Sequence, residues 1–208
     1  MLKTILLIFR DSIIDIWKDL WTTLVCNTIW LFANLLIIPG PPATIALYDY
    51  ANRKAHGEEP DHKDFWNSFK KSWGIGWRWG AINLLFLPIL FIDIYLSSKI
   101  ENRTLESYLV GLYIAMGLGW FLLQFFALPF LFEQDKMNVR TALRNAVVMI
   151  GRNIYFVLVI LFFLVVILII GTIVSLLSVM FGGVFIALLG NRAVLNRLAL
   201  NKDVEKSS

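Results

Sequence analysis

Residues 154–189 form an uninterrupted run of 36 residues without a single charged side chain. As one straight helix that run would be about 54 Å long, against a hydrocarbon core of roughly 30 Å. It is too apolar all round to be the surface helix of a soluble domain, which keeps one polar face. Two shorter apolar helices fit it better. A turn is predicted within 171–178, where Gly171, Thr172, Ser175 and Ser178 interrupt the branched aliphatics.

The rest of the chain follows the same physics. Of 208 residues, 58% are hydrophobic and only 16% charged, and the mean hydropathy is +0.70. Soluble domains sit near 45–50% apolar and about 25% charged. A chain this short lacks the interior to hide so many apolar helices. The predicted fold is therefore all-α: a multi-pass transmembrane helical bundle of about five spans, at 20–38, 74–96, 108–132, 154–171 and 176–190. It occupies 1–200 as a single membrane domain, and 201–208 reads as a flexible cytoplasmic tail. No cleavable signal peptide is expected, because Arg10, Asp11 and Asp15 break the first apolar stretch.

Three segments carry helical periodicity with a polar face. Leu2, Ile5, Leu6, Phe9, Ile13 and Ile16 form a stripe over 2–19, with Trp17 and Trp21 as interfacial anchors. Phe65, Trp66, Phe69 and Trp73 do the same over 61–73, opposite Lys63, Lys70 and Lys71, with Asp61 or Asp64 as the cap. Val139, Leu143, Val147 and Ile150 complete a third over 135–150, beside Arg140 and Arg144. Lys70, Lys71, Arg140 and Arg144 are the candidate cytoplasmic contacts for lipid or a partner, since such helices lie in the headgroup layer with cations towards anionic lipid. The faint likeness between 64–73 and 138–147 is what shared physical demand produces, with or without duplication.

Within the spans, small residues and a few amides stand out. Gly76 and Gly80, and Gly111, Ala115 and Gly119, recur every four residues and are candidates for close helix packing within one chain or between chains. Asn27, Asn34, Asn83 and Gln124 are the strongest intramembrane polar groups. Arg78 and Asp93 lie near opposite ends of one span and read as boundary charges.

The net charge of +4 comes from Lys and Arg in loops, the pattern of membrane proteins rather than of a nucleic-acid binder. With five spans, 13 basic residues fall on one side and five on the other; with four spans the division is nine against nine. That asymmetry predicts five spans, the N-terminus outside and the C-terminus cytoplasmic.

Chemistry is sparse. The phosphate-loop, His-Glu-x-x-His and nucleophile-elbow patterns are missing. His56 and His62 flank an acidic turn and read as solvated polar residues. Cys26 is alone. No catalytic, cofactor or metal site is predicted, nor an enzymatic activity. Span centres lacking ionisable residues argue against a proton-coupled carrier.

The order of motifs is distinctive. "IIPGPPATIALYDYANRKAHGEE" precedes "DFWNSFKKSW", and "LPFLFEQDKMNVRTALRNAV" and "GNRAVLNRL" follow. Over about residues 10–200 this resembles the YesL-like bacterial integral membrane proteins, the family of domain of unknown function 624. Pro39-Gly40-Pro41, Pro42-Ala43-Thr44 with Leu47-Tyr48, and Asp64-Phe65-Trp66 with Ser68-Phe69-Lys70 carry the likeness. The resemblance implies a multi-pass protein of the bacterial plasma membrane whose genes lie beside those for carbohydrate ABC-type uptake. It supplies no catalytic residues. Its implied partners are the phospholipid bilayer and a carbohydrate ABC transporter permease or a homo-oligomer. An accessory or structural component of such an assembly is the leading functional expectation, and an oligomeric transporter of small molecules or lipid is the alternative.

Overall fold

The computed structural model describes residues 1–173 and 175–207. Among them lie nine helices: α1 (Leu2–Lys18), α2 (Leu20–Leu35), α3 (Gly40–Ala55), α4 (His62–Lys71), α5 (Trp73–Ser97), α6 (Arg103–Phe130), α7 (Val139–Arg152), α8 (Ile154–Ile173) and α9 (Ser175–Ser207). The all-α class holds. Four helices, α5, α6, α8 and α9, are long and apolar enough to cross a membrane by length and composition. The fifth expected span, α2, has 16 residues, or about 24 Å of helix, short of a roughly 30 Å core.

The amphipathic stripes give α1, α4 and α7. Asp61 caps α4 by accepting from the Lys63 and Asp64 amides, and Asp64 returns the bond to the Asp61 amide, which completes a capping box. The bonds from the Asp64 and Lys63 amides hold the Asp61 carboxyl below the usual carboxylate range.

The 154–189 run does divide. α8 ends at Ile173, α9 begins at Ser175, and Val174 lies outside the described residues. The two helices fold back on each other. Phe9 packs on both Phe163 and Phe185, at 5.7 and 6.3 Å between centroids. Nearer the other end of the pair, the Arg197 guanidinium lies 3.6 Å from the Phe156 ring centroid. Ser178 donates to the Gly171 carbonyl at 3.0 Å across the turn. The segment expected as a free tail continues α9 as helix to Ser207.

The main departure is α3. It falls between the expected spans at 20–38 and 74–96, yet it is buried along most of its length, from Gly40 through Lys54. Pro41 and Pro42 sit in its first turn, where a missing amide hydrogen costs nothing. Small residues at Ala43, Thr44, Ala46 and Ala51 let neighbours close in on every side. α3 folds back on α2. The Thr23 and Tyr50 hydroxyls are 3.2 Å apart, the Trp30 indole donates to Thr44 at 3.1 Å, and Asn34 meets Gly40. The result is a helical hairpin with an apolar tip: Leu35, Leu36, Ile37 and Ile38 are 69%, 70%, 66% and 62% exposed.

At that tip Ile37 has φ +63, a left-handed conformation that a β-branched residue adopts only under constraint. Ile37→Gly removes a strain of about 1 kcal/mol at little cost in burial. It is expected to raise the unfolding midpoint in detergent; an unchanged or lowered midpoint contradicts the strain.

The hairpin docks on α5 by its turn. Ideal Cβ atoms on Gly76 and Gly80 would fall 2.7 Å from Pro42 backbone atoms and from the Pro41 ring. Roughly 25 Å of helix separates Gly80 from Ser97 at ~1.5 Å per residue, so the turn stops well short of the far end of α5.

Both chain ends belong to one end of the bundle. Arg192 of α9 pairs with Asp15 of α1, and Thr4, Ile8 and Asp11 share a cavity with Ala55, Leu195 and Asn196.

Candidate functional site

The buried polar residues Asn52, Lys54 and Asn191 gather at this end, around the last turns of α3. Asn52 is buried and donates to Glu133 at 2.7 Å and to Asn191 at 3.0 Å. Asn191, also buried, donates to the Ala187 and Tyr48 carbonyls at 2.8 and 3.4 Å. His56 stands at the rim, with Nε2 3.7 Å from Glu133 and Nδ1 3.0 Å from the Asn52 carbonyl. Three elements, α3, α9 and the segment after α6, are thereby tied through two amides and one carboxylate.

Lys54 lies on the other side of α3. Its ammonium is buried and donates to the Asp15 carbonyl at 3.0 Å and to the Thr23 hydroxyl at 3.5 Å, with Asp19 at 3.6 Å and the Tyr50 ring centroid at 5.3 Å. Burial pulls this ammonium below the usual lysine value, and Asp19 and Asp15 oppose that pull. Lys54 forms the floor of a polar cavity of about 320 Å³, rimmed by Asp15, Lys18, Asp19, Glu58 and Glu59. The arrangement suits a structural tie: its one buried cation is already paired. No group of three or more His, Cys, Asp or Glu among the described residues is placed to hold a metal ion. His62 is exposed at the start of α4, away from this cavity's lining.

The intramembrane amides occupy separate places. Asn27 is fully buried and clasps the α9 backbone, donating to the Val179 carbonyl at 2.8 Å and accepting from the Val184 amide at 3.1 Å. Gly183 makes room for it: a Cβ there would lie 2.6 Å from the Trp30 ring and 2.8 Å from Asn27 Oδ1. Asn34 donates to the Trp30 carbonyl on its own helix at 2.9 Å. Asn83 donates to the Trp79 carbonyl at 3.0 Å and accepts from Trp120 at 2.9 Å, while Gln124 accepts from Trp79 at 2.7 Å. Those two tryptophan bonds, with Phe86 stacked on Trp120 at 4.2 Å, lock α5 to α6. Asn34 and Asn83 line a mostly apolar cavity of about 300 Å³ with Ile37, Pro41 and Leu87; Asn27 and Gln124 are outside it.

The small residues divide in the same way. Gly76 and Gly80 face the hairpin turn. Gly111 and Gly119 have open space where a Cβ would stand, and Ala115 is exposed on the same face. The α6 glycine that meets a neighbour within the chain is Gly117, under Leu90 at 3.0 Å. Gly190 of α9 likewise admits the Phe125 carbonyl and Pro129 of α6. Periodicity gave no signal for Gly117, Gly183 or Gly190, because each answers to one particular neighbour rather than to a repeating face.

Of the basic candidates, Lys70 lies 5.7 Å from the Trp66 ring centroid, Lys71 and Arg140 are exposed, and Arg144 borders a cleft between α7 and α9. No curated protein and no solved structure matches the chain. Residues 23–94, which hold the α2–α3 hairpin, α4 and most of α5, match the family model described as protein of unknown function, DUF624, the family that the Pro-Gly-Pro and Asp-Phe-Trp motifs resemble.

Proposed function

We propose that this chain is a non-enzymatic integral membrane component that works through assembly, as an accessory or structural partner in carbohydrate ABC-type uptake at the bacterial plasma membrane. The carbohydrate part rests on the family resemblance alone. The observation that carries the assembly part is the use of the intramembrane amides. Asn27, Asn83 and the Gln124 carbonyl are taken up by bonds between helices, Asn34 bonds within its own helix, and the four share no common cavity. A carrier is expected to keep polar groups facing a shared midplane cavity.

The topology that goes with this reading places α1, α4, α7 and both termini at the cytoplasmic face. α5, α6, α8 and α9 cross the bilayer, and the α2–α3 hairpin enters and returns. Its support is the charge distribution: every Lys and Arg except Lys99 and Arg103 then lies in a segment at the cytoplasmic end. That asymmetry is far steeper than five full crossings give, and it is the pattern cytoplasmic loops display.

Purification of the full chain from native membranes in mild detergent tests the assembly. Recovery of ABC permease subunits at a fixed ratio is the expected result. Recovery of the chain alone, together with substrate flux after reconstitution in liposomes, overturns it in favour of an oligomeric transporter.

A further inference from the structure

The cleft between α7 and the C-terminal part of α9 has a composition that the rest of the cytoplasmic end lacks. It encloses about 580 Å³, and its charged lining is Arg144, Arg152 and Arg197, with no Asp or Glu. The lysine-floored cavity near α1 is the opposite case, rimmed by four carboxylates. Asn145 and Asn201 add amide groups to the arginine cleft, and Leu198 belongs to its apolar wall.

Arg144 and Arg152 are exposed, but Arg197 is not arranged as a solvated surface charge. Its guanidinium carbon lies over the Phe156 ring, 3.6 Å from the centroid, and its Nε is buried without a hydrogen-bond partner. Arg144 and Arg152 are eight positions apart on α7, two turns along one face. Neither has an ion pair among the described residues. Three like charges around one cleft repel, and a guanidinium with an unpaired buried N–H pays for its lost hydration. An anion with several acceptor oxygens relieves both costs, and the planar fork of arginine suits phosphate. The cleft's position selects the form of that phosphate. It opens beside an interfacial amphipathic helix at the end of the spanning helices, with apolar side chains next to the arginines, which is the setting of a lipid headgroup above its acyl chains.

We propose that the α7–α9 cleft binds the phosphate headgroup of an anionic phospholipid, with Arg197 fixed in place as the deep contact and Arg144 and Arg152 closing over it. Arg140 and the lysines of α4 lie outside the cleft and contribute general attraction to the membrane surface. The site is independent of what the chain assembles with.

The test is native mass spectrometry of the full chain in mild detergent, titrated with phosphatidylglycerol, cardiolipin or phosphatidylcholine. The wild type is expected to retain the anionic lipids preferentially. Arg144→Gln with Arg152→Gln removes two exposed charges and no packing, and weakens anionic-lipid retention by roughly 30-fold. Lys70→Gln with Lys71→Gln, an equal charge change elsewhere, leaves retention within about twofold of wild type. Equal retention of phosphatidylcholine, or equal loss in the two double variants, overturns the site. Displacement of the lipid by millimolar inorganic phosphate overturns the lipid assignment and makes the cleft a soluble-phosphate site.

Discussion

Gly76→Val is expected to unseat the α2–α3 hairpin and to destabilise the protein by about 3 kcal/mol, the upper part of the usual overpacking range. The reason lies in what the new Cβ would meet. It would stand 2.7 Å from the nitrogen and Cα of Pro42 and 3.0 Å from the carbonyl carbon of Pro41. These are backbone atoms in a turn stiffened by consecutive prolines, so no rotamer change makes room. Gly80→Val meets the Pro41 ring at 2.7 Å and is expected to follow closely. Gly111→Ala and Gly119→Ala are the controls. Nothing lies within 4 Å of either Cβ position, and alanine favours helix over glycine by up to about 1 kcal/mol. They are expected to be neutral or slightly stabilising. Unfolding midpoints of the four variants in one detergent decide the matter. A Gly76 variant no worse than Gly111→Ala would mean that the hairpin does not dock on α5.

The same pair of glycine sets shows how far the sequence could be read. A four-residue spacing identifies a face that admits close approach, but it says nothing about what approaches. For Gly76 and Gly80 the partner is a proline turn some 35 residues earlier in the chain. Apolar runs located α5, α6, α8 and α9, since lipid and core both select for unbroken hydrophobicity. Periodicity located α1, α4 and α7, since each has one wet face and one dry one. α3 has neither signal. It is buried although Asn52 and Lys54 are polar, because Glu133, Asn191, Asp15 and Asp19 come from distant segments to satisfy them. Burial by partnering leaves no trace in a hydropathy profile, so α3 is absent from the expected spans and stripes. The arginine cleft was half legible for a related reason. Arg144 stands on an evident amphipathic face, whereas Arg197 lies 53 positions later in a helix whose apolar start hides its basic end.

The burial of α3 gives the proposed topology an all-or-none consequence. In a background where the sole cysteine is removed by Cys26→Ala, single reporters are introduced at Lys3, Ile38, Glu59, Glu101 and Lys202. A membrane-impermeant maleimide applied to intact cells is expected to label Glu101→Cys alone, in the loop between α5 and α6. Lys3→Cys, Glu59→Cys and Lys202→Cys are expected to react only once the cytoplasmic face is opened, because contacts at Asp15, Ala55, Arg192 and Asn196 gather these segments at one end. Ile38→Cys distinguishes a returning hairpin from two full crossings. Leu35, Leu36 and Ile37 beside it are apolar and exposed, and α2 and α3 each offer only about 24 Å of helix. On the proposed topology the tip sits among acyl chains, and its thiol is expected to stay unreactive from both sides until detergent is added. Labelling of Ile38→Cys from outside would make α2 and α3 complete spans. Labelling of Lys3→Cys from outside while Lys202→Cys stays protected would be incompatible with the Asp15–Arg192 pair, which cannot form across a bilayer.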